Sequence, residues 1–429
     1  MKDKLLVVQV AALGADLVHR AGITALGGMA FHSAAPIFPA LTCPFQASLR
    51  TALSPESHGL LMNGFFNRAT RKPAFWEQSA NLISPARIWE DFRAQNRTVA
   101  LLFWQQSLGE AADFILSPAP IHKHHGGMIQ DCYSKPDGLY PHLTQSLKRP
   151  FNLMHYWGPL ASHKAGDWIA EATAEVLANP AYAPDLCLTY LPTLDYDLQR
   201  HGPSSKQACR ALTHLFQQLE IITNAAENNG YRLLLLGDYA IGEITIGPLF
   251  PNRVLLQSNL LKTRRVRGRL YPDLYDSPAF VLADHEVGQV FVRKPSDLPR
   301  VLELLSALDG VESVHPFSLH QASSEPANTA PDALLLAKPG AWLAYPWWNE
   351  NREAPDYACH VDIHSKPGYD PCELFWGWPP GTISLDPYRI KGSHGRADRP
   401  IAWASNALDT TPTDTIELAE ALAYLLRPS

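Results

Sequence analysis

The sequence has no apolar run of membrane-spanning length, no CxxC pair and no excess of basic residues, and each absence removes a class of function. A spanning helix needs about 20 consecutive apolar residues, so no membrane segment is expected. Six cysteines (43, 132, 187, 209, 359 and 372) spread over 429 residues read as reduced thiols of an intracellular chain, and a cytoplasmic location is expected. The net charge of −6 argues against a partner that is a nucleic-acid polymer, because such binders carry a basic footprint. The one basic run, Lys262–Arg269, reads as a solvated loop. With 46% hydrophobic and 18% charged residues, the chain has the composition of a soluble globular protein, long enough for one large α/β domain with a smaller insertion. Leu5–Val10 is a short apolar run followed by Gly14, Asp16 and His19, which predicts a first β-strand and not a signal peptide. Prolines outnumber glycines, 36 to 26, so loops should be many and stiff.

Buried strands are predicted at Leu5–Val10, Thr98–Phe103, Asp185–Tyr190 and Arg232–Leu236 from their continuous apolar runs. Helices are predicted at Leu17–Leu26, Lys206–Asn228 and Thr415–Leu426 from apolar residues at helical spacing. This alternation predicts helices packed on a mostly parallel sheet. Ala279–Val292 reads as two strands around a turn, Asp297–Leu308 as a helix and Val311–Val314 as a strand. Residues 251–335 are therefore expected to form a small α+β cap, inserted between the core segments 1–250 and 336–429. Leu334–Ala337 and Ala341–Tyr345 suggest a hairpin-like return, and Glu325–Pro331 a surface loop.

Several polar residues stand where chemistry could occur. Thr42, two residues before Pro44, falls at the N-cap of an amphipathic helix through Phe45, Leu49 and Leu53. A hydroxyl there faces unpaired N–H groups and the positive end of the helix dipole, where a phosphate can sit, although on local sequence alone a plain helix cap is the favoured role. Asp195 and Asp197 lie in the expected loop Leu191–Pro203, at the carboxyl end of a parallel strand where ligands gather. Asp238 ends the next strand, and an isolated carboxylate there would be costly to bury. His360, Asp362 and His364 alternate at period two, so in a strand they would share a face as metal ligands or as solvent-facing residues. His122, His124 and His125 read as an exposed loop, and Asp284-His285 fits either a ligand pair or a turn.

Pro55-Glu56-Ser57-His58-Gly59 followed by Asn63 resembles the PESHG…N segment of the nucleotide pyrophosphatase/phosphodiesterase family, in the alkaline phosphatase superfamily. The resemblance implies a three-layer α/β/α sandwich and a metal-dependent phosphohydrolase. Carried over by position, Thr42 is the nucleophile and Asn63 steadies the phosphoryl oxygens. Cys43 stands where the family has Phe, which leaves a thiol nucleophile as a lesser alternative. Anchored on Gly202-Pro203, the family's PDxxGHxxGP loop places metal ligands at Asp195 and at position 199, here Gln199. The Asp-His at the next strand end maps to Asp238 and Tyr239, and the late His-Gly maps to His394. The first-strand aspartate of the family is absent, with Ala11 and Ala12 in its place. The implied cofactors are one or two divalent ions, Zn²⁺ or Mn²⁺, held by Asp195, Asp238 and His394 with Asp362 or His364. The implied substrate is a small phosphodiester or nucleotide-like pyrophosphate, cleaved through a phospho-threonine. Three altered ligand positions also admit a silent relative that binds a phosphorylated ligand or partner without turnover.

Overall fold

The structure is a computed structural model in which residues 4–125, 127–317 and 329–427 are described. The chain begins with β1 (Lys4–Val10), then β2 (His32–Ala34), α1 (Thr42–Thr51), β3 (Val99–Leu102), β4 (Phe114–Pro118) and β5 (Cys132–Lys135). α2 (His163–Ala178), β6 (Leu186–Leu191), α3 (Thr193–His201), α4 (Lys206–Asn228) and β7 (Tyr231–Gly237) follow. Next come β8 (Ala279–Asp284), β9 (Val287–Val292), α5 (Leu298–Ser306), β10 (Val311–Pro316) and β11 (Ala333–Ala337). The last two are β12 (Ile401–Ser405) and α6 (Thr415–Leu425).

The large sheet has the order β5-β4-β3-β6-β1-β7-β12-β2. Its five central strands, β4 to β7 in that order, are parallel, whereas β5, β12 and β2 each pair antiparallel to their neighbours. Parallel strands are covered on both faces, which is why Leu5–Val8 is apolar at every position. Alternation sorts those side chains. Leu6, Val8 and Val10 pack against α2 and α4, while Leu5 and Val7 pack with Phe45 and Leu49 of α1 and Leu418 and Leu422 of α6. The result is an α/β/α sandwich.

A second sheet, β8-β9-β11-β10, is antiparallel and has a core of its own, in which Val281, Val290, Val301, Leu305 and Leu335 are buried together. It is fastened to the large sheet by Glu286, fully buried, which receives both Arg399 N–H groups at 2.7 and 2.9 Å.

Four local expectations are corrected. The helix predicted over Leu17–Leu26 is Ala15–Arg20, ended by Gly22 at φ +70° and followed by a small hairpin around Gly27 and Gly28. The segment expected as a loop after Tyr190 is α3, which starts beside Pro192 and stops at Gly202, φ +83°. Ala341–Leu343 pairs in parallel with Gly247–Leu249 instead of returning as a hairpin on β11. His360–His364 is not a strand: a 3-10 turn over Asp356–Cys359 precedes it, and the Asp362 side chain accepts from the Ser365 N–H in a local turn. Part of the surface loop expected at Glu325–Pro331 lies outside the described residues.

Candidate active site

The carboxyl ends of β1, β6 and β7 meet the start of α1, and there most of the polar residues singled out above come together. Leu41, extended at φ −136°, is the N-cap of α1, so Thr42 is the first helical residue and not the cap. Its hydroxyl donates to Asp238 Oδ2 at 3.2 Å. Asp238, at the end of β7, is fully buried and also receives Gln9 Nε2 (2.8 Å), the Ala12 N–H (3.1 Å) and its neighbour Tyr239's N–H (2.9 Å). Asp195, in the first turn of α3, accepts the Tyr239 hydroxyl on one oxygen (2.9 Å) and Gln199 Nε2 on the other (2.7 Å). Gln199 sits one helical turn after Asp195, and its oxygen accepts from the Tyr369 hydroxyl at 3.1 Å. His394 is held by Ala40 O at 2.9 Å, and its ring lies flat on Tyr239, centroids 3.5 Å apart and 2° from parallel.

Burial dominates the electrostatics. It pushes the Asp195 carboxyl up to about 6 and that of Asp238 up to about 7, against the donors each accepts. The Tyr239 phenol is driven far above its ordinary range by burial first and by the nearby Asp195 and Asp238 second, so it keeps its proton and donates. Burial likewise pushes the His285 and His394 imidazoles well below their ordinary range.

Asn63 bridges the start of α1 and the end of β8. Its Oδ1 accepts the Cys43 N–H at 3.0 Å, and its own N–H and Nδ2 donate to Asp284 at 3.0 and 3.3 Å. Asp284 also pairs with His285 Nδ1 at 2.7 Å, and His285 turns the chain between β8 and β9 at φ +59°. The pair is thus both a turn and part of the site. Asp284→Ala would strip partners from three buried groups, each worth about 1–3 kcal/mol. Urea unfolding should show a loss of about 2 kcal/mol or more, with the smaller loss in Asp284→Asn, which keeps one acceptor.

Other expectations fall elsewhere. His364 bonds the Phe75 carbonyl, Asp362 serves its own turn, and His360 is exposed, so no hydrogen bond joins any of them to Thr42, Asp195, Asp238 or His394. His122, His124 and His125 are exposed. Cys43 faces inward, receives Gln106 Nε2 and is pushed up to about 12 by burial, which removes it as a nucleophile. Gln9 and Tyr369 belong to the site but were not foreseen. Gln9 had a signal, since a polar residue inside an apolar strand needs a partner; Tyr369 had none.

A two-ion centre does not fit this donor set. Both oxygens of Asp195 and both of Asp238 are engaged by protein donors. Ala11 offers no ligand atom, and Gln199 and Tyr239 turn donors toward the carboxylate. Among the described residues no group of three or more His, Cys, Asp or Glu side chains is arranged to hold a metal.

A mostly parallel sheet between two helical layers, with a helix-start threonine facing a strand-end carboxylate, defines an alkaline phosphatase-like fold. The chain belongs to the type I phosphodiesterase / nucleotide pyrophosphatase family, which matches residues 5–370. That membership places it among the phosphoric ester hydrolases, a family generally dependent on metal ions. Phosphonoacetate hydrolase from Sinorhizobium meliloti, solved with phosphonoformate, superimposes with TM-score 0.64 at 14% identity, covering 99% of this chain and 95% of that one. Murine ectonucleotide pyrophosphatase/phosphodiesterase 5, solved as an inactive variant with AMP, superimposes with TM-score 0.61 at 13% identity and the same coverage. No curated protein sequence matches the chain.

Proposed function

We propose that this chain cleaves a small phosphodiester or nucleotide-like pyrophosphate, with Thr42 as the attacking group. The observation that carries the reading is the Thr42 hydroxyl at the first position of α1, 3.2 Å from a carboxylate oxygen of Asp238. Asp238 would take the hydroxyl proton as the Thr42 oxygen bonds to phosphorus and the leaving alcohol or phosphate departs. The phospho-threonine keeps the substrate's remaining ester group, and water would then break the Thr42 oxygen–phosphorus bond, releasing a phosphomonoester and returning the proton to Thr42. The positive end of α1 favours the charge gathered on the phosphoryl oxygens. Asn63, anchored by Asp284, fixes the Cys43 amide beside the attacking oxygen. In the family, bound cations supply Lewis-acid stabilisation of that charge, but the donors around Asp195 and Asp238 do not fit them.

A second reading has its own support. The protein donors already on every oxygen of Asp195 and Asp238 suit a relative that binds a phosphorylated ligand without turning it over. Turnover of an activated aryl phosphodiester, with and without Mn²⁺ and Zn²⁺, separates the two, together with acid-quenched mapping of phosphate on Thr42. Turnover with label on Thr42 is the expected result. Tight AMP binding by calorimetry with neither turnover nor label would leave the binding protein.

A further inference from the structure

We infer that this chain has exchanged the divalent ions of its family for hydrogen-bond donors of its own, and takes up no ion beside Thr42. An ion shared by two carboxylates and an imidazole needs a free lone pair from each, about 2 Å away. Here every oxygen of the two carboxylates already accepts at least one proton, and His394 spends its Nδ1 on the Ala40 carbonyl, leaving its Nε2 as the one imidazole lone pair. Gln199 Nε2 and the Tyr239 hydroxyl, at 2.7 and 2.9 Å, cover the two oxygens of Asp195. Gln9 Nε2 and the Ala12 N–H, at 2.8 and 3.1 Å, do the same for Asp238.

Space agrees with chemistry. The Tyr239 ring joins Asp195 through its hydroxyl and lies against the face of His394 at a centroid distance of 3.5 Å. It therefore fills the gap between the two side chains that an ion would have to bridge. On the other side, Ala11 brings no carboxylate, and Gln9, two residues earlier on the same face of β1, reaches Asp238 instead. These departures compensate one another. Removing a ligand alone would strand two buried carboxylates, whereas Gln9, Gln199 and Tyr239 each restore a partner. Tyr369, stacked on His285 and donating to Gln199, fixes the amide so that its N–H₂ and not its oxygen faces Asp195.

The test needs no catalytic readout. Protein purified without chelator from medium supplemented with zinc and manganese is analysed for bound metal, and its Tm is followed with added Zn²⁺, Mn²⁺ or EDTA. The expected content is below about a tenth of an equivalent, with no shift in Tm, whereas an ion bound at ~100 times its Kd should raise Tm by several degrees. Near-stoichiometric metal that is lost in Asp195→Asn and His394→Ala would overturn the inference. Metal retained in both variants would place the ion elsewhere and leave it standing. The triple variant Ala11→Asp, Gln199→His, Tyr239→His is the positive control, expected to gain ions. Label on Thr42 is scored separately: an ion-free chain that fails to label loses the hydrolase reading and keeps this one, and an ion-filled chain that labels does the reverse.

Discussion

Thr42→Ala is expected to lower kcat/KM for an activated aryl phosphodiester at least about a thousand-fold, the scale on which an attacking side chain contributes. AMP affinity should change little, within about threefold, because the amides at the start of α1 remain in place. The variant should fold. Thr42 donates one of the four hydrogen bonds that Asp238 accepts, and the other three come from Gln9, Ala12 and Tyr239. Thr42→Ser, which keeps the oxygen, should recover most of the lost rate. The adjacent Cys43 cannot take over, since its thiol is buried and its proton is held to about pH 12. Undiminished turnover in Thr42→Ala would end the covalent reading.

Asp238→Asn should become more stable relative to the unaltered chain as pH rises from about 5 to 8. Burial lifts the Asp238 carboxyl from 3.8 to about 7. A raised carboxyl contributes stability below its unfolded value and loses that contribution as pH climbs through its folded value. Each tenfold change in proton affinity corresponds to about 1.4 kcal/mol, and about two pH units of the shift lie inside this window, so the variant should gain on the order of 3 kcal/mol across it. The amide can be accepted because Gln9 Oε1 has no hydrogen-bond partner, so a flip of Gln9 offers it an acceptor. Buried His285 and His394 act with the opposite sign, losing stability as pH falls through the ordinary imidazole range. For that reason the comparison is between variant and parent, not along one pH curve. Denaturant titrations at several pH values check it, and a difference of the opposite sign would mean that a positive charge sits beside Asp238.

The sheet was legible because its strands are buried on both faces, and continuous apolar runs mark such strands wherever they occur. Thr42, Asn63, Asp195, Asp238 and His394 were legible through a motif, and the structure gathers all five into one hydrogen-bonded and stacked cluster. What could not be read was how the altered positions compensate. Gln199 looked like a weakened ligand until helix geometry placed its amide one turn from Asp195. His360, Asp362 and His364 misled because period two means a shared face only if the segment is extended, and the turn chemistry of Asp362 prevents that. Asp284 gained its meaning from Asn63, 221 positions away, a distance that no local pattern spans.

The order of strands has a consequence for how the chain is made. β2 precedes the helix bearing Thr42, and its partner in the large sheet among the described residues is β12, from residues 401–405. During synthesis the threonine's approach strand therefore waits for this pairing until residues 401–405 have left the ribosome, about 370 positions later. A product that stops short of residue 401 would retain the central parallel strands but leave this edge without its backbone partners, exposed to pairing with another chain.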